Sequence, residues 1–290
     1  MLQNTNWVTE SQLYLVPTPI GNLADVTERA LAVLRQVDLI ACEDTRHTSQ
    51  LLSHFAIHKP LLSLHEHNEQ VRALEVMQQL QQGKSVAYVS DAGTPAVSDP
   101  GYRLVQTVSQ AGFRVSALPG ASAVVTALSA SGLDTRAGFC FLGFVPTQNK
   151  ERMNWAEKLH QASLVSVFFE APHRIMATLS WLAEHFPARQ MVLAKELTKL
   201  HERYVRATCQ EVLALMQANP DWQRGEFVLL LAANEADLSV ENVFSVELDD
   251  LLQKLLPLMP LSQAVKLVCE LSGQKKKKVY DLALSLQKNT

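Results

Sequence analysis

Ionisable side chains gather at the ends of short apolar runs in this chain. Glu43, Asp44 and Arg46 follow Leu39–Cys42, and His65, Glu66 and His67 follow Leu61–Leu64. Asp91 and Asp99 follow Val86–Val89, Glu170 ends a later run, and Lys195 with Glu196 ends another. Carboxylates, imidazoles and amines are the groups that move protons or steady developing charge. Where they meet small residues, as in Ser90-Asp91-Ala92-Gly93-Thr94-Pro95, a ligand can come close to the backbone. A second small-residue stretch, Pro119-Gly120-Ala121-Ser122-Ala123, opens a helical pattern. Helix starts of this kind receive polar or anionic groups, although close packing of helix on sheet would select the same residues. His65 and His67 have a spacing that can ligate a metal, but no third ligand is evident and no metal is expected.

These residues need elements to position them. Leu13–Val16, Leu39–Cys42, Leu61–Leu64, Val86–Val89 and Arg114–Leu118 are short, rich in strand formers and bounded by turn residues, which predicts strands. Later strands are expected at Phe139–Gly143, Leu164–Glu170, Met191–Ala194 and Phe227–Ala232, with helices around 152–161, 174–186 and 210–217. Pro17-Thr18-Pro19-Ile20-Gly21-Asn22 forms a rigid loop. Asp25 and Glu28 suggest a capping box, and Val71, Leu74, Met77 and Leu80 suggest the buried face of a helix closed by Gly83. Asp99 is placed to cap a helix that opens on Pro100, and Gly112 closes that helix. Alternating strands and helices predict an α/β protein, whose ligand ground lies beyond the carboxyl ends of the strands.

The chain has 290 residues, enough for two domains at about 100–200 residues each. The expected division is an α/β domain over 12–119, a second over 120–234, and a helical tail over 235–290 with the basic run Lys275–Lys278. Apolar residues at 47% and charged residues at 19% fit a folded protein, not a disordered one. The net charge of −3 excludes a globally basic nucleic-acid coat while leaving room for a local basic patch. Cys42, Cys140, Cys209 and Cys269 are widely spaced, against a zinc cage or a secreted disulfide framework. The first dozen residues lack a basic start and an apolar core, and no stretch reaches the roughly 20 apolar residues of a membrane span. A cytoplasmic protein without membrane contact is therefore expected.

VPTPIGNLADVTERAL, ACEDTRHT, SDAGTPAVSDPG, LPGASA, FFEAPHR and KELTK occur in one order along the chain. In that order they resemble the ribosomal RNA small subunit methyltransferase I family, a branch of the tetrapyrrole methylase superfamily, over about Leu13 to Ala232. The resemblance implies a homodimer that uses S-adenosylmethionine to methylate the 2′-hydroxyl of a cytidine ribose in the decoding region of small-subunit ribosomal RNA. It also implies two α/β domains of the tetrapyrrole methylase type with the cofactor in the cleft between them. By position, Pro19 and Ile20 would line the cofactor pocket, and Asp91, Ala92, Gly93 and Thr94 would form its central wall. Ser122 and Ala123 would reach it from the domain junction, and Phe168, Phe169 and Glu170 from the second sheet. The wider superfamily has glycine-glycine-aspartate-proline where this chain has Val89-Ser90-Asp91-Ala92, and often tyrosine-methionine where it has Phe169-Glu170, which argues against a tetrapyrrole substrate.

A ribose hydroxyl is a poor nucleophile at neutral pH, so a base or a cation near the developing alkoxide would help. Glu43, Asp44, His65, Glu66, His67, Glu170, Lys195 and Glu196 are the candidates; Glu43, Asp44 and Arg46 with His65, Glu66 and His67 are expected to form the substrate-facing rim. His173, Arg174, Lys195, Lys199, Arg203 and Arg206, with Lys275–Lys278, could hold RNA phosphates, the shape of an assembled ribosomal particle supplying specificity. A small-molecule methyltransferase of tetrapyrrole type and a non-enzymatic RNA-binding module remain as rival readings. The first would want an apolar cleft in place of the polar clusters, and the second would have no use for the acidic loop.

Overall fold

The computed structural model describes residues 7–234, 248–272, 274 and 276–288. The chain divides into two compact units, one of 1–133, 141–145 and 167–231, the other of 134–140, 146–166 and 232–290.

The first unit opens with five strands, β1 (Gln12–Leu15), β2 (Leu39–Cys42), β3 (Leu61–Ser63), β4 (Val86–Val89) and β5 (Arg114–Ala117). They form a parallel sheet in the order β3-β2-β4-β1-β5. Alternate residues of one strand face opposite sides of a sheet, so β4 serves two cores. Ala87 and Val89 pack with Val33 and Leu34 of α1 (Glu28–Gln36) and Leu52 of α2 (Thr45–His54). Val86 and Tyr88 pack with Ala73, Val76 and Leu80 of α3 (Glu69–Gln81) and Leu104 and Val108 of α4 (Tyr102–Gln110). Both faces are covered, as an all-parallel sheet requires. A short helix, α5 (Ala123–Ser129), follows β5.

A second sheet, ordered β6-β7-β10-β8-β9, comprises β6 (Phe139–Phe144), β7 (Val165–Glu170), β8 (Gln190–Lys195), β9 (Arg203–Thr208) and β10 (Phe227–Leu231). The first unit holds 141–144 of β6, 167–170 of β7 and all of β8, β9 and β10. There β10 and β9 flank β8 antiparallel, and α7 (Ile175–His185) packs with α8 (Cys209–Ala218). The second unit contains α6 (Asn149–His160) and the helices α9 (Leu248–Leu255), α10 (Leu261–Ser272) and α11 (Lys276–Lys288). Leu252, Val265, Val268, Val279 and Ala283 form the core of these last three, with Leu248, Leu251 and Leu255 packed against it. Glu235 and the acidic segment after it, and Lys275 of the basic run, lie outside the described residues.

Several local expectations are corrected. The start of α1 is capped by Thr27, whose hydroxyl accepts from Ala30 N–H at 3.1 Å, and Asp25 lies in a 3-10 turn capped by Asn22. On α3 the buried face is Glu69, Ala73, Val76 and Leu80, while Val71 and Leu74 are exposed. α2 and β9 were not placed by periodicity, the first because it begins inside a charged cluster and the second because its sequence, RYVRAT, carries arginines three residues apart and lacks a period of two. Asp99 does not cap α4. Gly101 occupies that position without a side-chain bond, and Glu69 from α3 supplies the cap across space. Its Oε1 accepts from the backbone N–H groups of Gly101, Arg103 and Leu104 at 3.0, 2.7 and 3.2 Å.

Glu69 is 7% exposed, so its removal strands three donors that water does not easily reach. Glu69→Ala is expected to cost about 2–4 kcal/mol in chemical denaturation, and Glu69→Gln, which keeps an acceptor, clearly less.

Candidate functional site

Three loops leave the carboxyl ends of β1, β4 and β5 and are tied together. Thr18 and Gly93 exchange backbone hydrogen bonds, N–H to O at 2.9 Å one way and 3.0 Å the other. The Thr18 hydroxyl donates to Ser90 O at 3.1 Å, and the Thr94 hydroxyl donates to Ala121 O at 3.0 Å. Gly93 has φ +80°, and a Cβ there would sit 3.2 Å from Ile20 Cγ2. Only glycine holds this turn without strain while letting the loop close on its neighbour.

Against these loops the second sheet completes a cavity of about 330 Å³. The first sheet's loops contribute Ile20, Ala92, Gly93, Thr94, Val97 and Asp99, then Ser122, Ala123 and Val124. The second sheet contributes Phe144, Phe169 and Glu170, then Phe227 and Val228, with Leu197 and Glu226 nearby. Phe169 stands edge-on to Phe141 and Phe144, with ring centroids 5.0 and 5.3 Å away. Apolar walls with a few polar groups and this volume fit a small organic ligand.

Of the residues picked out by sequence, Ile20, Ala92, Gly93, Thr94, Ser122, Ala123, Phe169 and Glu170 come together here. Pro19 and Asp91 are not among the lining residues, and the Asp91 carboxylate accepts from Asp44 N–H at 3.2 Å. Phe168 is fully buried, on the opposite side of β7 from Phe169. The Glu170 carboxylate is held by Arg174 at 2.6 Å, by Ala171 N–H and by the Thr178 hydroxyl, so it braces the wall. Lys195 is buried at the end of β8, its ammonium 5.9 Å from the centre of the Phe227 ring, and burial depresses its pKa. Asp44 caps α2 and is paired with Arg46, whose guanidinium holds the carboxyl well below the usual range. His65 Nε2 lies 3.0 Å from Asn68 Nδ2, and the His65 and His67 rings meet edge-on at 6.0 Å. Among the described residues no group of three or more His, Cys, Asp or Glu is arranged to hold a metal ion.

Val97, Asp99, Phe144 and Phe227 also line the cavity and were not assigned to it from sequence. Asp99 was visible in SDAGTPAVSDPG, but Pro100 beside it suggested a helix cap. Burial raises its pKa, the Ser90 hydroxyl opposes the rise, and Asp91 adds to it. Glu43 is raised too, first by burial and then by repulsion from Asp91, Asp99, Asp44 and Glu66.

Residues 12–213 match the family model of the tetrapyrrole (corrin/porphyrin) methylases, and residues 243–287 match that of the RsmI C-terminal HTH domain. Ribosomal RNA small subunit methyltransferase I of Escherichia coli O157:H7 is 44% identical over 283 residues, covering 96% of each chain. Its namesake in Neisseria meningitidis serogroup B is 45% identical over 278 residues, covering 96% of this chain and 94% of that one. The chain belongs to the ribosomal RNA small subunit methyltransferase I family. Its fold is that of the tetrapyrrole methylases. Uroporphyrin-III-C-methyltransferase from Thermus thermophilus superposes with a TM-score of 0.54 at 20% identity, covering 77% of this chain and 94% of that one. A complex of the same Thermus enzyme with S-adenosylhomocysteine gives 0.52.

In this member of the family the cations read as RNA ligands on the second sheet are engaged internally. Arg174 holds Glu170 and donates to Val145 O. Lys199 bridges Glu196 and Glu226 at 3.0 Å each, and Arg203 lies 3.9 Å above the centre of the Trp222 ring. Arg206 donates to Ala130 O and Ser131 O beyond the end of α5, whereas His173 is exposed.

For an acid whose pKa is raised by folding, the ionised form destabilises the fold at neutral pH, and that penalty vanishes as pH falls through the folded-state pKa. Glu43→Gln is therefore expected to raise Tm at pH 7, with the advantage over the parent chain shrinking toward pH 4 in thermal melts.

Proposed function

We propose that this chain transfers the methyl group of S-adenosylmethionine to the 2′-hydroxyl of a cytidine ribose in the decoding region of small-subunit ribosomal RNA. The observation that carries this reading is near-full-length identity of 44–45% to ribosomal RNA small subunit methyltransferases, joined to an apolar cavity at the strand ends. The enzyme acts in the cytoplasm as a homodimer on an assembled particle. Among the described residues no helix is long and apolar enough to cross a membrane.

The cavity suits the methyl donor. Gly93 lets the loop backbone approach a ligand where a Cβ would crowd Ile20, and Phe144 and Phe169 offer aromatic edges and faces to a cationic group. Ile20, Ala92, Gly93 and Thr94 would hold the donor from one side, Ser122 and Ala123 from the loop after β5, and Phe169 from the second sheet. When bound, S-adenosylmethionine supplies an already activated methyl group. The chain's task is then to align an acceptor, exclude water and remove a proton. Val97, Phe144 and Phe227 give the cavity apolar surface, and Arg174 keeps Glu170 fixed in its wall.

RNA is held in part by the tail. Lys276, Lys277 and Lys278 are exposed in the first turn of α11, while Val279 behind them is buried. Three neighbouring ammonium groups on an ordered helix suit the phosphate backbone of a structured RNA.

Labelled methyl transfer into small-subunit particles, free ribosomal RNA and a tetrapyrrole tests the reading directly. Transfer to particles above the other two is expected, and transfer only to the tetrapyrrole would overturn it. Reversing Lys276, Lys277 and Lys278 to Glu should raise KM for particles tenfold or more, with a shallower salt dependence, while calorimetric affinity for S-adenosylmethionine stays unchanged. Removal of the chain from Asn242 onward should act in the same direction.

A further inference from the structure

Beside the cavity described above lies a second, of about 350 Å³, bounded by Glu66, Glu69, Ser98, Pro100, Tyr102 and Arg103. Asp99 is the one residue that lines both. The segment that carries it is held on each side. Ala96 and Ser98 adopt φ of +65° and +62°, conformations that non-glycine residues keep only when their surroundings impose them. On the far side the Tyr88 hydroxyl donates to Pro100 O at 2.8 Å, and Glu69 fixes the N–H groups of Gly101, Arg103 and Leu104. A Cβ on Gly101 would strike the Tyr88 ring at 2.6 Å, so ring and loop are in direct contact. Asp99 is thus a carboxylate on a fixed partition between two spaces.

The sequence candidates for the base are either taken by other groups or fail to line both cavities: Glu43, His67 and Glu196 line neither, and Glu66 lines the second alone. Glu170 is taken by Arg174 and Thr178, Asp44 by Arg46 and the start of α2, and His65 by Asn68. Lys195 lines neither cavity. The second cavity, by contrast, offers groups that suit a nucleotide. Tyr102 is 66% exposed at its edge and can stack on an unpaired base, and the exposed Arg103 can meet a phosphate.

Resting on the reading of the chain as a ribose methyltransferase, we infer that Asp99 is the general base of the reaction, and that the acceptor nucleotide sits in the second cavity against Tyr102 and Arg103. The ribose O–H bond breaks with its proton passing to the Asp99 carboxylate, and the freed electron pair forms the new O–CH₃ bond. The C–S bond of the donor breaks with its pair remaining on sulfur, leaving a neutral thioether, and the proton then leaves Asp99 for solvent. Charge balances without a further reactant.

The groups around Asp99 come from several elements: Asp91 on its own loop, Glu43 beyond β2, Glu66 in the turn before α3 and Glu69 at its start, Tyr88 on β4, Arg103 on α4 and Glu170 on β7. Burial first, and the charge of Asp91 with it, favour the protonated form against the opposing Ser90 hydroxyl, which makes Asp99 a better proton acceptor than a free carboxylate.

Asp99→Asn and Asp99→Glu in the full chain test this with small-subunit particles as acceptor. Asp99→Asn is expected to lower kcat about a hundredfold or more and to abolish the acid limb of the pH profile. Its dissociation constant for S-adenosylmethionine should stay within about threefold, as should particle binding measured without the donor. Because folding disfavours the charge on Asp99, Tm at pH 7 should be unchanged or higher, whereas a purely structural aspartate would lower it. Asp99→Glu should recover part of the rate. A kcat for Asp99→Asn within about threefold of an active parent enzyme overturns the role of Asp99 alone, and so does a parallel loss of donor affinity. An inactive parent enzyme overturns the functional reading and this role with it. Should Asp99→Asn fail to fold, the parent pH profile decides, since the absence of an acid limb above the ordinary carboxylate pKa of about 4 overturns the assignment.

Discussion

Two backbone hydrogen bonds between Thr18 and Gly93 are the constraint on which this site depends. They join the loop after β1 to the loop after β4, at neighbouring strands where the parallel sheet turns its carboxyl ends to the ligand. The pairing requires a residue at position 93 that tolerates φ +80° beside Ile20, and a rigid partner, which the two prolines flanking Thr18 provide. From that tie the Thr94 hydroxyl reaches the loop after β5, so three segments distant in sequence behave as one wall. Backbone bonds do this without using the side chains that must face the ligand.

The opposite wall is organised by charge. Glu170, buried at the end of β7, pairs with the partly buried Arg174 just before α7, supported by Thr178 and by the carbonyl of Val145. Lys199 likewise joins Glu196 to Glu226, and Arg206 reaches the carbonyls of Ala130 and Ser131. Burying a charge is costly unless a partner and hydrogen bonds compensate; Arg174 and Lys199 have carboxylate partners, and the exposed Arg206 has backbone carbonyls. These cations, which look like RNA ligands in a linear reading, hold the second sheet and its loops in place. Under the proposed function, affinity for a polyanion would then fall to groups such as the exposed lysines at the start of α11.

The alternation of strands and helices was legible because short apolar runs between turn residues fit few other structures, and the glycines after α3 and α4 mark their ends with φ of +84° and +82°. The loops of the cavity were legible for a related reason: small and acidic residues at strand ends have few structural roles. What could not be read was side-chain direction. Phe168 and Phe169 are equivalent on paper, yet strand alternation sends one to the core and the other to the cavity. Glu69 fills the capping role expected of Asp99, because a cap supplied by another helix has no local signature and Pro100 pointed to the nearer carboxylate. β9 escaped notice because its arginines, at 203 and 206, break the period of two that marks a strand.

Ala96, Ser98, Glu196 and Thr198 hold left-handed backbone conformations in the two loops that face each other beside the cavity. Each costs of the order of 1–3 kcal/mol, and that energy is held in place by the surrounding packing. A ligand arriving there meets walls whose shape was fixed during folding, so little of its binding energy is consumed in ordering them. If the cavity holds the donor as proposed, selectivity for it is in this sense prepaid, and exchange of spent donor for fresh would not require the chain around the cavity to refold.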